Sequence, residues 1–183
     1  MERWTAAVRA GRTSISSGPF LRLAVDGQEP GDVIRMGSPG SLEVTARAQA
    51  AQPVISDVEL VVDGRIVAAV ERPSGTMDLE ITERVPVERG TWIAARSRSR
   101  HVIGSAFTTS MAAHTSPVYV EVAGRPLIPR LDDAAVVEQV ILGARSWVAD
   151  LAAIADPSER RRMLAFFDAS LERLRERLTR LPA

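Results

Sequence analysis

The sequence contains no cysteine, no lysine and no asparagine, and aromatic residues make up only 4% of its 183 positions. The lack of cysteine excludes disulfides and every zinc site that depends on thiolate ligands. Without asparagine there is no acceptor for N-glycosylation. No apolar run approaches the roughly 18 to 20 residues that a membrane-spanning helix needs, and no signal-peptide core opens the chain. The sequence therefore predicts a cytoplasmic protein with no membrane partner.

Neither sign of charge is in excess, because 23 arginines balance 23 acidic residues. Proteins that bind phosphate backbones depend on surplus cations, so this balance argues against a nucleic-acid partner. From Asp156 onward, however, seven arginines accompany five acids. This segment can be interpreted as a basic binding helix or as a solvated face that includes Arg160 to Arg162 and intrahelical pairs such as Glu176 with Arg180. The small local excess favours the solvated face.

A short helix is predicted within residues 1–12. Residues 2–10 are good helix formers, and Gly11 follows where a left-handed C-terminal cap is needed. A helix of this length is not stable alone in water and must dock on something. Trp4 and Val8, one turn apart, form the expected docking face.

Residues 13–130 show the alternation and turn residues that are typical of β-strands. Two alternating runs flank Asp63-Gly64, which is a strong signal for a hairpin with a type I′ turn. Further turns are expected at residues 37–40 and 72–75. The predicted strands include residues 21–25, 42–46, 58–62, 66–70, 77–87, 91–98, 106–110 and 117–122. Seven or eight short strands predict an antiparallel, immunoglobulin-like β-sandwich, with Trp92 in its core.

Residues 131–183 have helical periodicity and predict an αα-hairpin. Asp132 or Asp133 is expected to cap the first helix, and Asp156 followed by Pro157 has the pattern of an N-terminal cap for the second. The second helix is expected to bury Leu164, Phe167, Leu171, Leu174 and Leu178 against Val137, Val140, Ile141, Ala144, Trp147, Val148 and Leu151 of the first. The predicted fold class is thus mainly β, an antiparallel immunoglobulin-like β-sandwich followed by a C-terminal αα-hairpin.

Residues for catalysis or metal binding are scarce. The two histidines, His101 and His114, are thirteen positions apart, and no HxH, HExxH, EF-hand, G-x-S-x-G or phosphate-binding loop occurs. The sequence therefore assigns no catalytic residue, no metal ligand and no cofactor to this chain. His114 precedes Thr115-Ser116-Pro117 and has three interpretations: a structural turn residue, the base of a triad, or a contributor to a neighbouring domain's site.

Several runs in the first 123 residues together resemble one known family. The runs are Trp4 to Thr13, Ser17-Gly18-Pro19, Val25-Asp26-Gly27, Pro30-Gly31-Asp32, Thr91 to Arg96 and Ala113 to Val120. They resemble the region that follows the catalytic domain in PHP-type metallohydrolases of the carbaryl hydrolase-like (CehA/McbA) family. The resemblance covers most of residues 4–123 in order, with a departure at Ser16-Ser17, where the family has Thr-Asn.

The resemblance implies a role as part of a larger hydrolase. The divalent-metal ligands of the family belong to its PHP domain, upstream of Met1, so none of them corresponds to a residue of this chain. The chain is then expected to be a non-catalytic C-terminal accessory domain that packs on and supports the upstream PHP-type catalytic domain or subunit. The helix ending at Gly11 would be the last helix of that catalytic domain.

Two alternatives remain at the level of the sequence. A free-standing immunoglobulin-like module that binds sugar or protein would need an exposed aromatic platform, and few aromatic residues are available for one. An oligomerisation module would use the apolar seam of the C-terminal helices to form a homo-oligomer.

Overall fold

The computed structural model describes residues 2–99, 111–125, 127 and 131–179, and the chain divides into two compact units, residues 1–127 and 128–183. The described elements of the first unit are α1 (Glu2–Arg9), β1 (Ser14–Ser16), β2 (Phe20–Val25), β3 (Val33–Met36), β4 (Gly40–Gln49), β5 (Ile55–Val62), β6 (Arg65–Thr76), β7 (Asp78–Val87), β8 (Thr91–Arg98), β9 (Ala112–Thr115) and β10 (Val118–Val122). Those of the second unit are α2 (Leu131–Asp150) and α3 (Pro157–Thr179).

The strands of the first unit form two sheets with a shared core. The smaller sheet has the antiparallel order β2-β4-β7. In the larger sheet β5 lies between β6 and β8, and β8 pairs on its other side with both β9 and β10. The outermost strands are β1, antiparallel to β9, and β3, parallel to β10. One cluster of buried side chains draws on both sheets: Leu21, Leu23, Val25, Leu42, Val44, Val58, Leu60, Ile81, Ile93, Val118 and Val120 are among its members.

The predicted fold class is confirmed, an immunoglobulin-like β-sandwich followed by two C-terminal helices. Local signals explain much of the success. Asp63 and Gly64 both have positive φ, 51° and 81°, as a type I′ turn between β5 and β6 requires. Gly11 ends α1 at φ 70°, and the amides of Gly11 and Arg12 donate to Val8 and Ala7 as in a Schellman motif.

The turn expected at residues 72–75 does not form, because β6 runs through it from Arg65 to Thr76. The strand tolerates Pro73 because residues 72–75 have no register partner in β5, whose pairing passes from Glu71 to Thr76. Its pairing with β5 also shifts register between Ile55 and Asp57, which adapts the strand to this irregular stretch.

Trp92 is not in the sandwich core, which corrects the expectation from the sequence. Its neighbour Ile93 is fully buried in the core cluster, and successive side chains of a strand point to opposite faces. Trp92 is therefore on the outer face of the larger sheet, where it is half-buried and in register with the exposed Tyr119. Residues 106–110, His101 and Arg180, all named in the sequence predictions, lie outside the described residues.

The second unit is the expected helical hairpin, and its second helix has the predicted cap. The Asp156 carboxylate accepts hydrogen bonds from the backbone amide and the hydroxyl of Ser158, each at 2.7 Å. These bonds hold the pKa of Asp156 below its ordinary value. The first helix begins at Leu131, so Asp132 and Asp133 lie inside its first turn and not at the predicted cap position.

The face that α2 turns towards α3 is different from the predicted one. Leu171 and Val148 are buried as expected, while Leu164, Phe167, Leu174, Leu178, Ile141 and Ala144 are half-buried and Val137, Val140, Trp147 and Leu151 are exposed. Ion pairs explain the rotation, because Glu138 bonds Arg175 at 2.5 Å and Arg145 bonds Asp168 at 2.6 Å. With Glu138 and Arg145 facing α3, a neighbouring apolar stripe of α2 is left uncovered. The stripe consists of Val136, Val140, Trp147 and Leu151, which directly follows the helix.

Arg160 also departs from the solvated face on which the sequence had placed it. Its guanidinium donates to the carbonyl oxygens of Val148, Ala149 and Ala152 at 2.5 to 2.9 Å. The Val148 and Ala149 carbonyls lie in the last turn of α2, and the Ala152 carbonyl lies just beyond it. The cation therefore satisfies carbonyls at the end of the helix and interacts favourably with the helix dipole. None of the described helices is both long and apolar enough to cross a membrane.

Candidate functional site

His114 lies within strand β9, and not in the turn that one interpretation of the sequence had given it. It is exposed on the outer face of the larger sheet, between Ile15 of β1 and Arg96 of β8 in the strand register. Ile15 is itself 66% exposed. No cluster of three or more metal-ligating side chains occurs within the described part of the chain. His114 is thus an accessible imidazole beside an apolar side chain and a cation.

The carboxylates nearest to this row are engaged in ion pairs. Glu59 and Asp57 of β5 are almost fully buried, and both contact arginines of β8. Glu59 pairs with Arg96 and, at 2.6 Å, with Arg98, whose backbone amide donates to Asp57 at 2.7 Å. Breaking such a buried pair would leave an uncompensated charge, which is strongly destabilising. This arrangement is typical of a structural network and leaves neither acid free for proton transfer.

A groove of about 630 Å³ lies beside β2. Five consecutive residues of β2, Phe20 to Ala24, form one side of this β2 groove. The opposite side comes from Arg12, Thr13 and Ser14, where the chain leaves α1 and enters β1. The remaining lining residues are Gly27, Glu29, Pro30, Thr45, Arg47, Glu80 and Thr115.

Three arginines border the β2 groove, and two of them are neutralised. Arg12 contacts Asp32 at 3.1 Å, and the pKa of Asp32 is lowered first by a bond from the Glu29 amide and then by Arg12. Arg47 forms a two-pronged pair with Asp78, which lowers the pKa of that carboxyl. The third, Arg22, lies 5.2 Å from the centre of the Phe20 ring.

Arg22 has no carboxylate partner among the described residues, and Phe20 is 54% exposed. Together they offer an aromatic face and a cation at the rim of the groove. The sequence contained the signal for this pair, because Leu21, Leu23 and Val25 point inward and the residues between them must point outward. The position of Phe20 and Arg22 beside a groove depends on how the two sheets diverge, so it cannot be predicted from the neighbouring residues in the sequence.

Helix α1 is firmly attached at its C-terminal end, while most of its described residues are exposed. Its end is held by the Schellman motif, by the Arg12 pair with Asp32, and by Thr13, whose hydroxyl contacts that of Ser116 at 2.8 Å. The helix itself has no buried residue, and its predicted docking residues Trp4 and Val8 are 71% and 43% exposed. The expected docking face therefore exists but is not covered by the described residues.

Comparison with known proteins gives no family. No family model matches the chain, and no curated protein matches it either.

Three solved structures are similar in part. The fibronectin(III)-like modules of Clostridium thermocellum CbhA share 17% identity at a TM-score of 0.37, over 62% of this chain and 52% of that one. The CARDB domain of the PF1109 protein from Pyrococcus furiosus, in complex with di-metal ions, shares 13% sequence identity at a TM-score of 0.32. The match covers 57% of this chain and 96% of that one. Superoxide reductase (neelaredoxin) from Ignicoccus hospitalis shares 14% sequence identity at a TM-score of 0.32. The match covers 63% of this chain and 87% of that one. The chain spans about half the length of the first of these structures, and likenesses of this size carry no information about function.

Proposed function

We propose that this chain is a non-catalytic, cytoplasmic accessory domain of a PHP-type metallohydrolase, and that it packs on the upstream catalytic domain through α1. The observation that carries the proposal is the uncovered apolar face of α1, with Trp4 71% exposed. In this proposal the divalent metal and all of its ligands belong to the catalytic domain, and this chain supplies support and orientation.

The argument begins with the stability of α1. An isolated helix of eight residues is marginal in water, because nucleation is costly and few hydrogen bonds repay it. Its C-terminal end is fixed to the sandwich, so the helix direction is set, but the described residues leave its apolar side chains Trp4 and Val8 exposed. A partner that buries Trp4 and Val8 would supply the missing stabilisation. The run from Trp4 to Thr13 is part of the resemblance to PHP-type hydrolases, which is why the partner is taken to be their catalytic domain.

His114 has a place in this proposal as a contributor to the catalytic domain's site. Strand β1 follows α1 directly, and its residue Ile15 is the register neighbour of His114. A domain that covers α1 and continues over the exposed Ile15 would reach His114 on the same sheet edge.

A binding titration tests the proposal. The PHP-type domain encoded immediately upstream, in frame or in a neighbouring gene, is produced separately and titrated with this chain by calorimetry. Trp4→Ala is expected to weaken binding by about tenfold or more, as for a buried aromatic at the centre of an interface. Arg3→Ala, on the same helix, is the matched control and should change binding little. Equal affinity of the wild type and Trp4→Ala would contradict docking through α1.

A second candidate function, homo-oligomerisation through the C-terminal helices, is favoured by the uncovered stripe of α2. We infer that the stripe pairs with its own copy, because its members are arranged symmetrically about Gly143-Ala144. In an antiparallel pair centred there, Val136 would lie opposite Leu151 and Val140 opposite Trp147. All four are at least half exposed in the described structure.

Gly143 gives this inference an independent basis. A Cβ at Gly143 would meet no atom within 4 Å, so nothing in the described structure requires the glycine. Glycine inside a helix costs about 1 kcal/mol relative to alanine, and a close helix crossing is the usual compensation. An aromatic side chain such as that of Trp147 can bury about 150 to 250 Å², so we estimate on the order of 500 Å² of buried surface for the whole stripe in each copy. A pair of copies would then bury the roughly 1,000 Å² that a specific interface needs.

Sedimentation at several concentrations tests the pairing. The wild type should self-associate, and Gly143→Leu should shift the association to at least about tenfold higher concentration because the helices cannot approach closely. Gly37→Ala, in a turn of the sandwich where added atoms meet nothing within 4 Å, is the control. A wild-type chain that is monomeric at all concentrations would contradict the inference.

A further inference from the structure

We propose that the β2 groove is a binding site for an extended peptide, which adds as a strand to the free edge of β2 and places an acidic side chain beside Arg22. This inference is independent of the docking of α1 and concerns a different surface of the sandwich.

The strand register shows which backbone groups of β2 are free. The amide of Asp26 donates to the Glu43 carbonyl at 2.8 Å, which fixes the alternation of hydrogen bonds between β2 and β4. Positions 20, 22 and 24 therefore bond β4, and Leu21, Leu23 and Val25 direct their N–H and C=O groups away from it. Val25 exchanges both bonds with Gln28. For Leu21 and Leu23 no partner exists among the described residues.

Leu21 and Leu23 are among the residues that line the groove. The groove is lined by consecutive residues of β2, both those with inward and those with outward side chains, which is the geometry of a strand edge. Leu21 and Leu23 are 3% and 4% exposed, so their backbone groups are largely withdrawn from bulk solvent. A buried backbone donor or acceptor without a partner costs about 1 to 3 kcal/mol, which a pairing strand would recover.

The opposite side of the groove is also a strand edge. Across the β1–β9 pair, the Ser17 amide donates to the Ala112 carbonyl and the Ser116 amide donates to the Thr13 carbonyl. Because hydrogen-bonded positions alternate along an antiparallel strand, the backbone groups of Ser14 point away from β9. The two sheets thus diverge at β1 and β2, and the groove lies between their open edges. A peptide of up to six residues, about 20 Å long, would match the length of β2.

Two other edges of the sandwich, those of β6 and β7, are protected against pairing, and β2 is not. Edge strands commonly carry charges or proline, which discourage the addition of another strand. The β6 edge has Pro73 and three charged residues, and the β7 edge has Pro86 and four. Strand β2, Phe-Leu-Arg-Leu-Ala-Val, has one charge and no proline within it.

The side chains at the groove specify the peptide. Residues opposite Leu21 and Leu23 would point inward and are expected to be apolar. A residue opposite Arg22 would point outward, where the guanidinium has no carboxylate partner and an opposite charge is favourable. The chemistry therefore selects an extended segment that alternates apolar and acidic residues.

Amide exchange on the whole chain tests the proposal. The probe is a capped hexapeptide of alternating valine and glutamate, with its valine and lysine counterpart as the reversed-charge control. At saturation, exchange of the Leu21 and Leu23 amides should slow by at least about tenfold, while the amides of Arg22 and Ala24, already bonded to β4, should not change. The lysine peptide should bind roughly threefold to tenfold more weakly.

Charge reversal supplies the matched variants. Arg22→Glu should invert the preference so that the lysine peptide binds better, and Arg65→Glu at the start of β6 should leave it unchanged. The proposal is overturned if neither peptide protects Leu21 and Leu23, or if both peptides bind equally to the wild type. It is also overturned if these amides become protected with rising protein concentration alone, which would assign the edge to a second copy of the chain.

Discussion

Gly31 lies against the end of α1 at a point where a side chain cannot be accommodated. A Cβ there would come within 2.0 Å of the Ala10 carbonyl oxygen, and the residue has φ 91°. Its amide also donates to the Pro117 carbonyl at 2.8 Å, which anchors the turn to the start of β10. The direction of α1 therefore depends on the absence of a single methyl group.

Gly31→Ala is expected to destabilise the first unit by more than about 1 kcal/mol, because alanine is strained at positive φ and also collides with backbone. Urea denaturation measures the change. Gly37→Ala, where added atoms meet nothing and φ is not positive, should stay within about 0.5 kcal/mol of the wild type. Equal effects of the two substitutions would show that the contact with Ala10 is not restrictive.

Leu171 is the buried member of the α3 seam, at 6% exposure. Leu171→Ala should lower the free energy of unfolding by about 2 to 5 kcal/mol, through lost burial and the cavity left behind. Leu151→Ala is the comparison, because Leu151 is 76% exposed and should cost far less in the monomer. A loss below about 0.5 kcal/mol for Leu171→Ala would mean that the seam does not hold the hairpin together.

At the scale of elements, the end of one helix and the start of the next are joined by side chains. Arg160 of α3 bonds two carbonyls in the last turn of α2 and the Ala152 carbonyl just beyond it, and Asp156 caps the start of α3. The two interactions close the short connection between the helices from both directions. The hairpin is thus specified by polar capping at least as much as by its thin apolar seam.

Asp156 gives the hairpin a predictable response to acid. The bonds from Ser158 lower its folded-state pKa below the ordinary 3.8, so the cap stabilises the helix at neutral pH and is lost as pH falls through the lowered value. The difference in melting temperature between the wild type and Asp156→Ala should therefore be largest near neutrality and shrink below about pH 4. Far-UV circular dichroism measures it, with Asp156→Asn as a cap that does not titrate. A difference that is constant with pH would contradict the assignment.

What could be predicted from the sequence depends on the range of the interactions. Asp63-Gly64 and Asp156-Pro157 act through neighbouring backbone atoms, and both were predicted correctly. The face of Trp92 and the covered side of α2 were predicted wrongly. The first depends on which residues of β8 enter the core, and the second is the side on which the pairs Arg145–Asp168 and Glu138–Arg175 join the two helices. The β2 groove could not be predicted at all, since it arises where two sheets diverge.

At the scale of the whole molecule, the described residues include uncovered surfaces but no cluster of three or more metal-ligating side chains. The sandwich has an uncovered helix at one corner and an open strand edge beside it, and its buried acids are tied to arginines.

The purified chain alone is predicted to bind no stoichiometric transition metal and to hydrolyse no ester, carbamate or phosphoester. A water-activating metal needs several ligands around one open position, and two histidines without cysteine make such a set improbable. Elemental analysis after purification without a His-tag, and a panel of chromogenic esters, measure this. A full equivalent of zinc or manganese, with turnover abolished in His114→Ala, would contradict the non-catalytic role.

The emission of Trp4 tests the central claim most directly, because it reports whether α1 is covered in the complex. In a variant that retains only this tryptophan, with Trp92→Phe and Trp147→Phe, the free chain should show red-shifted emission that is readily quenched by acrylamide. Addition of the PHP-type catalytic domain that we propose as the partner should shift the emission to the blue and protect the ring from quenching, as burial of an aromatic side chain does. A complex that forms while Trp4 stays fully quenchable would contradict docking through α1.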